Sequence, residues 1–403
     1  MLSTWLHTPT PFSSPFSFWS SSSEHHHHHR FSMASSVRIA VVGDVHGDWH
    51  LEEDTKALEL LQAEDVVQKQ ANARNSLAVR GFLGHLKLIT RLGALHRHVI
   101  FLPCSSYKAF FTLHFLLPIQ IGDLANENVE LVRSISSLKF PKAIILGNHD
   151  CWYTQQFSNK VKDPVQLQLE CLGEEHVGYR RLDFPSLKLS VVGGRPFSCG
   201  GEGLFRKWLL SARYGVHNMD ASANRIYGAA SGTPEEHSII FLAHNGPTGL
   251  GSEMSDICGR DWVYGGGDHG DPDLAQAIAR LKEDDKFAIA LVVFGHMHKG
   301  LAYGGVRKMI VIGADQIIYL NGAIVPRVRR LTDVQESSDG SSWNNKGPLS
   351  ALDCEGTLRA FTVVEVLDGQ VSKIAETWIS VVGEKTKIEE EHILLRNDSM
   401  REV

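Results

Sequence analysis

Val37-Arg38-Ile39-Ala40-Val41-Val42-Gly43-Asp44-Val45-His46 is a short β-branched run closed by Gly and followed at once by a carboxylate and an imidazole. Apolar runs of this length bounded by Gly read as buried strands. The same arrangement recurs four times downstream. Leu116 to Ile121 leads into Gly122-Asp123, Ala143 to Leu146 into Gly147-Asn148-His149-Asp150, Ile239 to Leu242 into Ala243-His244-Asn245, and Ile289 to Phe294 into Gly295-His296-Met297-His298. Strands alternating with helical segments predict an α/β architecture, and the motifs fall where strands end. The ends of those strands would point Asp44, His46, Asp123, Asn148, His244, His296 and His298 into one crevice, a complete oxygen and nitrogen ligand set for two adjacent divalent metals.

Between the motifs, Leu51 to Gln62 reads as an amphipathic helix, as do Asn126 to Leu138 and Leu274 to Lys282. Tyr179 to Phe184 with Leu187 to Val192, and Met309 to Ile312 with Ile317 to Leu320, read as antiparallel strand pairs. Leu358 to Val366 and Val371 to Ile379 supply two further strands. Four parts follow from this: a leader over 1–36, a main domain over 37–330 with an insertion at 66–115, a polar loop over 331–350, and C-terminal strands and a tail over 351–403.

Composition bounds the function. The 403 residues, 43% hydrophobic and 21% charged, suffice for a normal core. Forty basic against 46 acidic residues leave a net charge of −6, so no general basic field invites nucleic acid. The six cysteines are scattered without a CxxC pair, against a disulfide framework and in favour of a reducing compartment. The apolar run Val99 to Ile121 is interrupted by Pro103, Lys108, His114 and Pro118, which argues against a membrane span. The Ser-, Phe- and Pro-rich leader resembles a plastid transit peptide, with an untargeted, cytoplasmic chain as the alternative; its run His25 to His29 is a repetitive tract rather than a metal site.

Each motif alone has an ordinary structural explanation. An Asp-x-His at a strand end is commonly a turn Asp beside a surface His, Asp123 could cap the helix that follows, and His244 could be a satisfied core histidine. Five such explanations in this order at five strand ends are a poor account of the chain. The residues resemble the calcineurin-like metallophosphoesterases, whose pattern runs D-x-H, G-D-x-x-[DN], G-N-H-[DE], H and G-H-x-H, with Asn126 filling the last place of the second motif. The resemblance covers about Val37 to Val328.

That resemblance implies a four-layer β-sandwich flanked by helices. It implies that Asp44, His46 and His298 hold one metal, that Asn148, His244 and His296 hold the other, and that Asp123 bridges them. It also implies that His149 is the general acid or phosphate contact, with Asp150 supporting it. Such a metal pair activates water and clamps phosphoryl oxygens, so the expected activity is metal-dependent hydrolysis of a phosphomonoester or phosphodiester. Donors without thiolate fit Mn, Fe or Zn.

The expected partner is a small phosphorylated substrate, with neither nucleic acid nor membrane involved. A non-catalytic metal-binding scaffold of the same fold is the competing reading, and the intact ligand set argues for catalysis. Leu124-Ala125-Asn126 and Leu146 depart from the protein serine/threonine phosphatase pattern. Asn245 to Gly249, Cys258 to Trp262 and Gly265 to Gly270 look like a branch found in plants and cyanobacteria. The Gly-rich stretch Asn245 to Asp271 is expected at the pocket rim. Arg260 and Arg195 are candidate anion contacts, and His269 a candidate extra ligand.

Overall fold

The structure, a computed structural model, describes residues 36–74, 114–158, 160–284, 286–332 and 356–397. Residues 1–35 of the leader with the histidine run, 75–113 of the insertion, 333–350 of the polar loop and 351–355 after it lie outside the described residues, as do Cys104 and Cys354.

Two sheets carry the fold. In the first, β1 (Ser36–Val42) runs parallel to β2 (His114–Gln120) and β2 parallel to β3 (Ala143–Ile144). On the other side β1 pairs antiparallel with β11 (Thr357–Leu367), which continues to β12 (Gln370–Val382) and β13 (Lys385–Arg396), while β10 (Val328–Arg330) also pairs with β11. The second sheet has the order β4-β5-β6-β7-β9-β8. Its members are β4 (Arg181–Phe184), β5 (Leu189–Gly193), β6 (Ser238–Leu242), β7 (Ala288–Phe294), β8 (Ile310–Ile312) and β9 (Ile318–Asn321), with β5, β6, β7 and β9 parallel.

Alternation along each strand explains the layering, since successive side chains point to opposite faces. Ile39 and Val41 of β1 pack with Ile119, Ile240, Leu242, Leu291 and Val293 in the core between the sheets. Ala40 and Val42 face the other way, into a cluster with Leu58 and Leu61 of α1 (Leu51–Arg74) and with Val132 and Ile135 of α2 (Val129–Ser136). On the outer face of the second sheet, Val192, Ile239 and Phe241 meet Ile226 of α5 (Met219–Ser231) and Leu274 and Ile278 of α6 (Pro272–Lys282). The result is a mixed α/β sandwich of two sheets with helices outside.

The parallel strands and both antiparallel pairs stand where the hydrophobic pattern puts them. Other elements needed more than periodicity. Helix α1 continues beyond Gln62 to Arg74, through residues with good helix propensity. Helix α2 begins later than Asn126, because the side chain of Asn128 accepts from the Leu131 nitrogen and caps it. Helices α3 (Pro164–Leu172), α4 (Lys207–Tyr214) and α5, and strand β13, were not read from the pattern at all. β13 is charged and mostly exposed, and it is a strand because β12 offers it an edge.

A buried ion cluster fixes the first motif to the sheet. Asp54, in the first turn of α1, accepts from Arg327 and Arg359 at 2.6 Å each, and Arg327 also donates to the Asp48 carbonyl. No helix among the described residues is long and apolar enough to cross a membrane; residues 114–120 of the apolar run Val99 to Ile121 form β2.

Candidate metal centre

All five motifs sit just beyond the carboxyl ends of parallel strands β1, β2, β3, β6 and β7, three from one sheet and two from the other. Chains leaving buried parallel strands must turn at once, and four of the expected ligands take up the left-handed region to do so: Asp44 (φ 41°), His46 (47°), Asp123 (46°) and His296 (64°). Non-glycine residues rarely adopt it, and such strain persists where the surroundings enforce it, commonly at functional sites. The glycines make room for the ligands. A Cβ on Gly295 would lie 2.6 Å from Asp44 Oδ1, and one on Gly147 would lie 2.5 Å from His244 Cε1.

Three groups of ligand atoms converge, each with its atoms within 4.8 Å of one another: Asp44, His46 and His298; Asp123, His244 and His296; and His46, Asp123 and His149. Within the first, Nε2 of His46 faces Nε2 of His298 at 3.0 Å, and His298 Nε2 is 3.6 Å from Asp44 Oδ2. In the second, Nδ1 of His244 donates to the Ile121 carbonyl at 2.7 Å. That bond turns Nε2 toward Asn148 Oδ1 at 2.9 Å and Asp123 Oδ1 at 3.5 Å. A ring whose far nitrogen is tied to a backbone carbonyl is the usual posture of a metal-binding histidine. Asn148 thereby joins the second group, and Asp123 belongs to two groups at once.

These side chains fit a pair of cations. Both Asp44 oxygens are buried without a hydrogen-bond partner among the described residues, although buried carboxylates are almost always paired or metal-bound. Burial, then the neighbouring Asp123 charge, pushes the Asp44 carboxyl up to about 7. Burial alone would also raise Asp123, but the surrounding imidazoles, His244 first, hold it below the usual carboxylate range. His244 is pushed up to about 10, because Asp123 and Asp44 outweigh the burial that favours its neutral form. His296 and His298 go down to about 3 and about 4, each by burial and by a neighbouring imidazole. Neutral imidazoles beside crowded carboxylates form a donor set that a divalent ion satisfies and that protons satisfy less well.

His149 stands beside this cluster. Its backbone N–H donates to Asp123 Oδ1 at 2.8 Å, and its ring Nδ1 lies 2.6 Å from Asn126 Oδ1. Trp152 stacks on the ring with centroids 4.7 Å apart.

Asp150 does not hold the His149 ring directly, the role expected of it from its place next to that residue. Its carboxylate is fully buried and accepts from the backbone nitrogens of Leu124 (3.0 Å) and Gly147 (2.8 Å), locking the second and third motifs together. Burial pushes its carboxyl up to about 8. In the tight 3-10 turn His149–Cys151 adjacent side chains diverge, so the ring is oriented by Asn126 and Trp152 instead.

A cavity of about 410 Å³ opens over His46, Asp123, His149, His296 and His298. Neither candidate anion contact lines it. Arg195 is buried, with its guanidinium committed to Asp271 at 2.6 Å and Asp273 at 3.2 Å, and is therefore a structural cation. Arg260 packs against the backbone of Gly267 outside the lining. His269 does line the cavity, but its Nε2 donates to the Cys199 carbonyl and its ring stacks on His296, so it forms wall beside a ligand.

Asp261 and Trp262, from the stretch Asn245 to Asp271 expected at the pocket rim, also line the cavity, as does Arg307, which no motif singled out. Trp152, which stacks on the His149 ring, lies three residues after it at helical spacing, a local signal for that contact. The described cysteines, Cys151, Cys171, Cys199 and Cys258, are free thiols.

Residues 114–300 match the calcineurin-like phosphoesterase family. The match starts at β2 and ends just after His298, so it takes in five of the seven expected ligands with Asn126, His149 and Asp150, and leaves Asp44 and His46 outside. This points to a metal-dependent hydrolase of phosphoesters. No curated protein matches the chain. Among solved structures, GAP50, the anchor in the inner membrane complex of Plasmodium, overlaps 90% of each chain at 11% identity, with a TM-score of 0.35.

Proposed function

We propose that the protein is a phosphohydrolase that uses two divalent cations to cleave a phosphomonoester or phosphodiester. The observation that carries this reading is the convergence of Asp44, whose buried carboxylate accepts no hydrogen bond among the described residues, and six other side chains from five strand ends beneath one open cavity. One ion would be held by Asp44, His46 and His298, the other by Asn148, His244 and His296, with Asp123 between them. When bound, such a pair supplies a water of lowered pKa and polarises phosphoryl oxygens.

The chain's own contribution to proton transfer is His149. With Nδ1–H donated to Asn126, the opposite nitrogen is the one that, in the doubly protonated ring, can pass its proton to the departing oxygen and leave the ring neutral, a contribution of about 10² to 10⁴ in rate. Stacking on Trp152 fixes the plane of the ring. Asp150 acts through the backbone, holding Gly147 and Leu124 so that Asp123 and His149 keep their spacing. The absence of cysteine from the three ligand groups supports Mn, Fe or Zn over softer ions.

The test is elemental analysis of the purified protein together with a phosphoester panel, run beside Asp123→Asn and His149→Ala. Both variants are expected to lose turnover, and only His149→Ala to retain metal. Unchanged hydrolysis in both would overturn the assignment. The leader's composition supports a plastid address, and fusing residues 1–36 to a fluorescent reporter tests it.

A further inference from the structure

The cavity over the histidine cluster is far larger than a phosphate and falls in the size range of small-molecule sites, so its walls must recognise the rest of the substrate. Those walls offer rings rather than charge. Among the described residues Arg307 is the one lysine or arginine in the lining, and its guanidinium is consumed by the carbonyls of His298, Met254, Asp256 and Gly259 and by Asp261. Trp262, by contrast, lines the cavity while 48% exposed. It meets His269 edge to face at 5.0 Å, and His269 in turn stacks on His296 at 6.0 Å. A graded run of rings thus leads from an expected metal ligand to the mouth of the cavity.

Trp262 is held in place for this. It sits in a small hairpin closed by a bridge between Gly259 and Asp268 and by backbone bonds from Arg260 to Gly267 (2.9 Å), Gly266 to Val263 (2.9 Å) and His269 to Cys258 (2.9 Å). The neighbouring Asp261 accepts from the Ala302 nitrogen at 2.6 Å, which ties the hairpin to the loop after His298. An exposed indole on a braced hairpin loses little freedom when a ligand stacks on it, and that preorganisation favours binding.

We propose that Trp262 is a specificity-determining residue that stacks on the base of a nucleoside phosphate whose phosphoryl group lies over His46, Asp123 and His149. The inference rests on the phosphohydrolase reading and adds the substrate class. Spacing favours a nucleoside over an aryl phosphate: the indole stands one full ring beyond His296, a gap that a sugar spans. An aryl group bonded through a single oxygen would lie over the histidines themselves.

The experiment measures equilibrium binding of adenosine 5′-monophosphate and of ribose 5-phosphate to the metal-loaded protein by calorimetry, beside Trp262→Ala, Trp262→Phe and Tyr264→Ala. Tyr264 is fully exposed two residues away and outside the lining. Stacking of a base on an aromatic side chain predicts that the nucleotide binds roughly fivefold to a hundredfold tighter than the sugar phosphate. That ratio should collapse in Trp262→Ala and persist in Trp262→Phe and Tyr264→Ala. Equal affinities in the unmodified protein, or a ratio unchanged in Trp262→Ala, would overturn the proposal. Turnover of other phosphoesters alongside that result would leave the phosphohydrolase standing, whereas a Trp262-dependent ratio with no ester cleaved would support the base platform and count against hydrolysis.

Discussion

Gly147→Ala is the sharpest probe of the centre, because it adds one methyl group and asks whether the ligand spacing matters. Gly147 has no left-handed backbone, so the variant adds no conformational strain and its effect is purely steric. The new Cβ would lie 2.5 Å from His244 Cε1, 2.7 Å from the Asp123 nitrogen and closer still to Asp123 Oδ1. Ordinary contact begins at 3.4 Å, so the shared carboxylate and the His244 ring must together yield about 1 Å. Overpacking of this kind costs about 1–3 kcal/mol in stability, and a misplacement of about 1 Å at a reacting centre costs about a hundredfold in rate.

The expected result is a folded protein with kcat/KM on its best phosphoester down about a hundredfold, and with weaker binding of the ion held by Asp123 and His244. The assays are urea unfolding, calorimetric titration of Mn²⁺, and hydrolysis. Gly228→Ala is the control, since its Cβ meets nothing within 4 Å inside α5, and it should be neutral or stabilise by about 0.5–1 kcal/mol. Normal metal affinity and turnover in Gly147→Ala would refute the claim that these two motifs share an ion.

Three further outcomes are expected. Asp44→Asn should leave the metal-free protein at least as stable as the parent, because it removes a buried carboxylate that accepts no hydrogen bond among the described residues, yet abolish the stabilisation of about 2.7 kcal/mol that an ion at 100 times its Kd confers; thermal melts with Mn²⁺ or chelator read both effects. Arg195→Met strands Asp271 and Asp273 as buried carboxylates without their cation and should cost about 3–5 kcal/mol in urea unfolding; a loss below 1 kcal/mol would contradict the pairing.

His176 is buried and neutral, pushed down to about 3 by burial and by Arg213 and Arg180, while its unfolded value is 6.5. Between these values the unfolded chain binds the extra proton, so stability is intact above pH 6.5 and falls on acidification, by on the order of 2 kcal/mol at pH 5. His176→Gln should flatten that slope, measured as unfolding midpoint against pH, and an unchanged slope would assign it to other groups.

Much of the sandwich was legible because its central strands are parallel and buried on both faces, so β6 and β7 appear as unbroken apolar runs, and β1 and β2 as runs broken only by Arg38 and Gln120, that end at Gly or Ala. The ligand motifs were legible for the same reason, each lying within a few residues of its own strand end. Helices α3, α4 and α5 were not, since they bury short or mixed faces that carry little periodicity. Arg195 looked like an anion contact because its partners, Asp271 and Asp273, are more than seventy residues away and nothing local announces them. Asp150 looked like the companion of His149 because it is the next residue, and the turn sends its carboxylate to the backbone of Leu124 and Gly147.

The succession of strands along the chain, the residue types offered at their ends and the chemistry those types allow were determined by the chain alone, because each depends on near neighbours along the backbone. Which nitrogen faces which oxygen, which arginine is already consumed, what orients His149 and which aromatic ring walls the cavity were decided by the tertiary structure. Those properties depend on groups that meet only when the two sheets close over a shared core, across separations such as the 252 residues between His46 and His298.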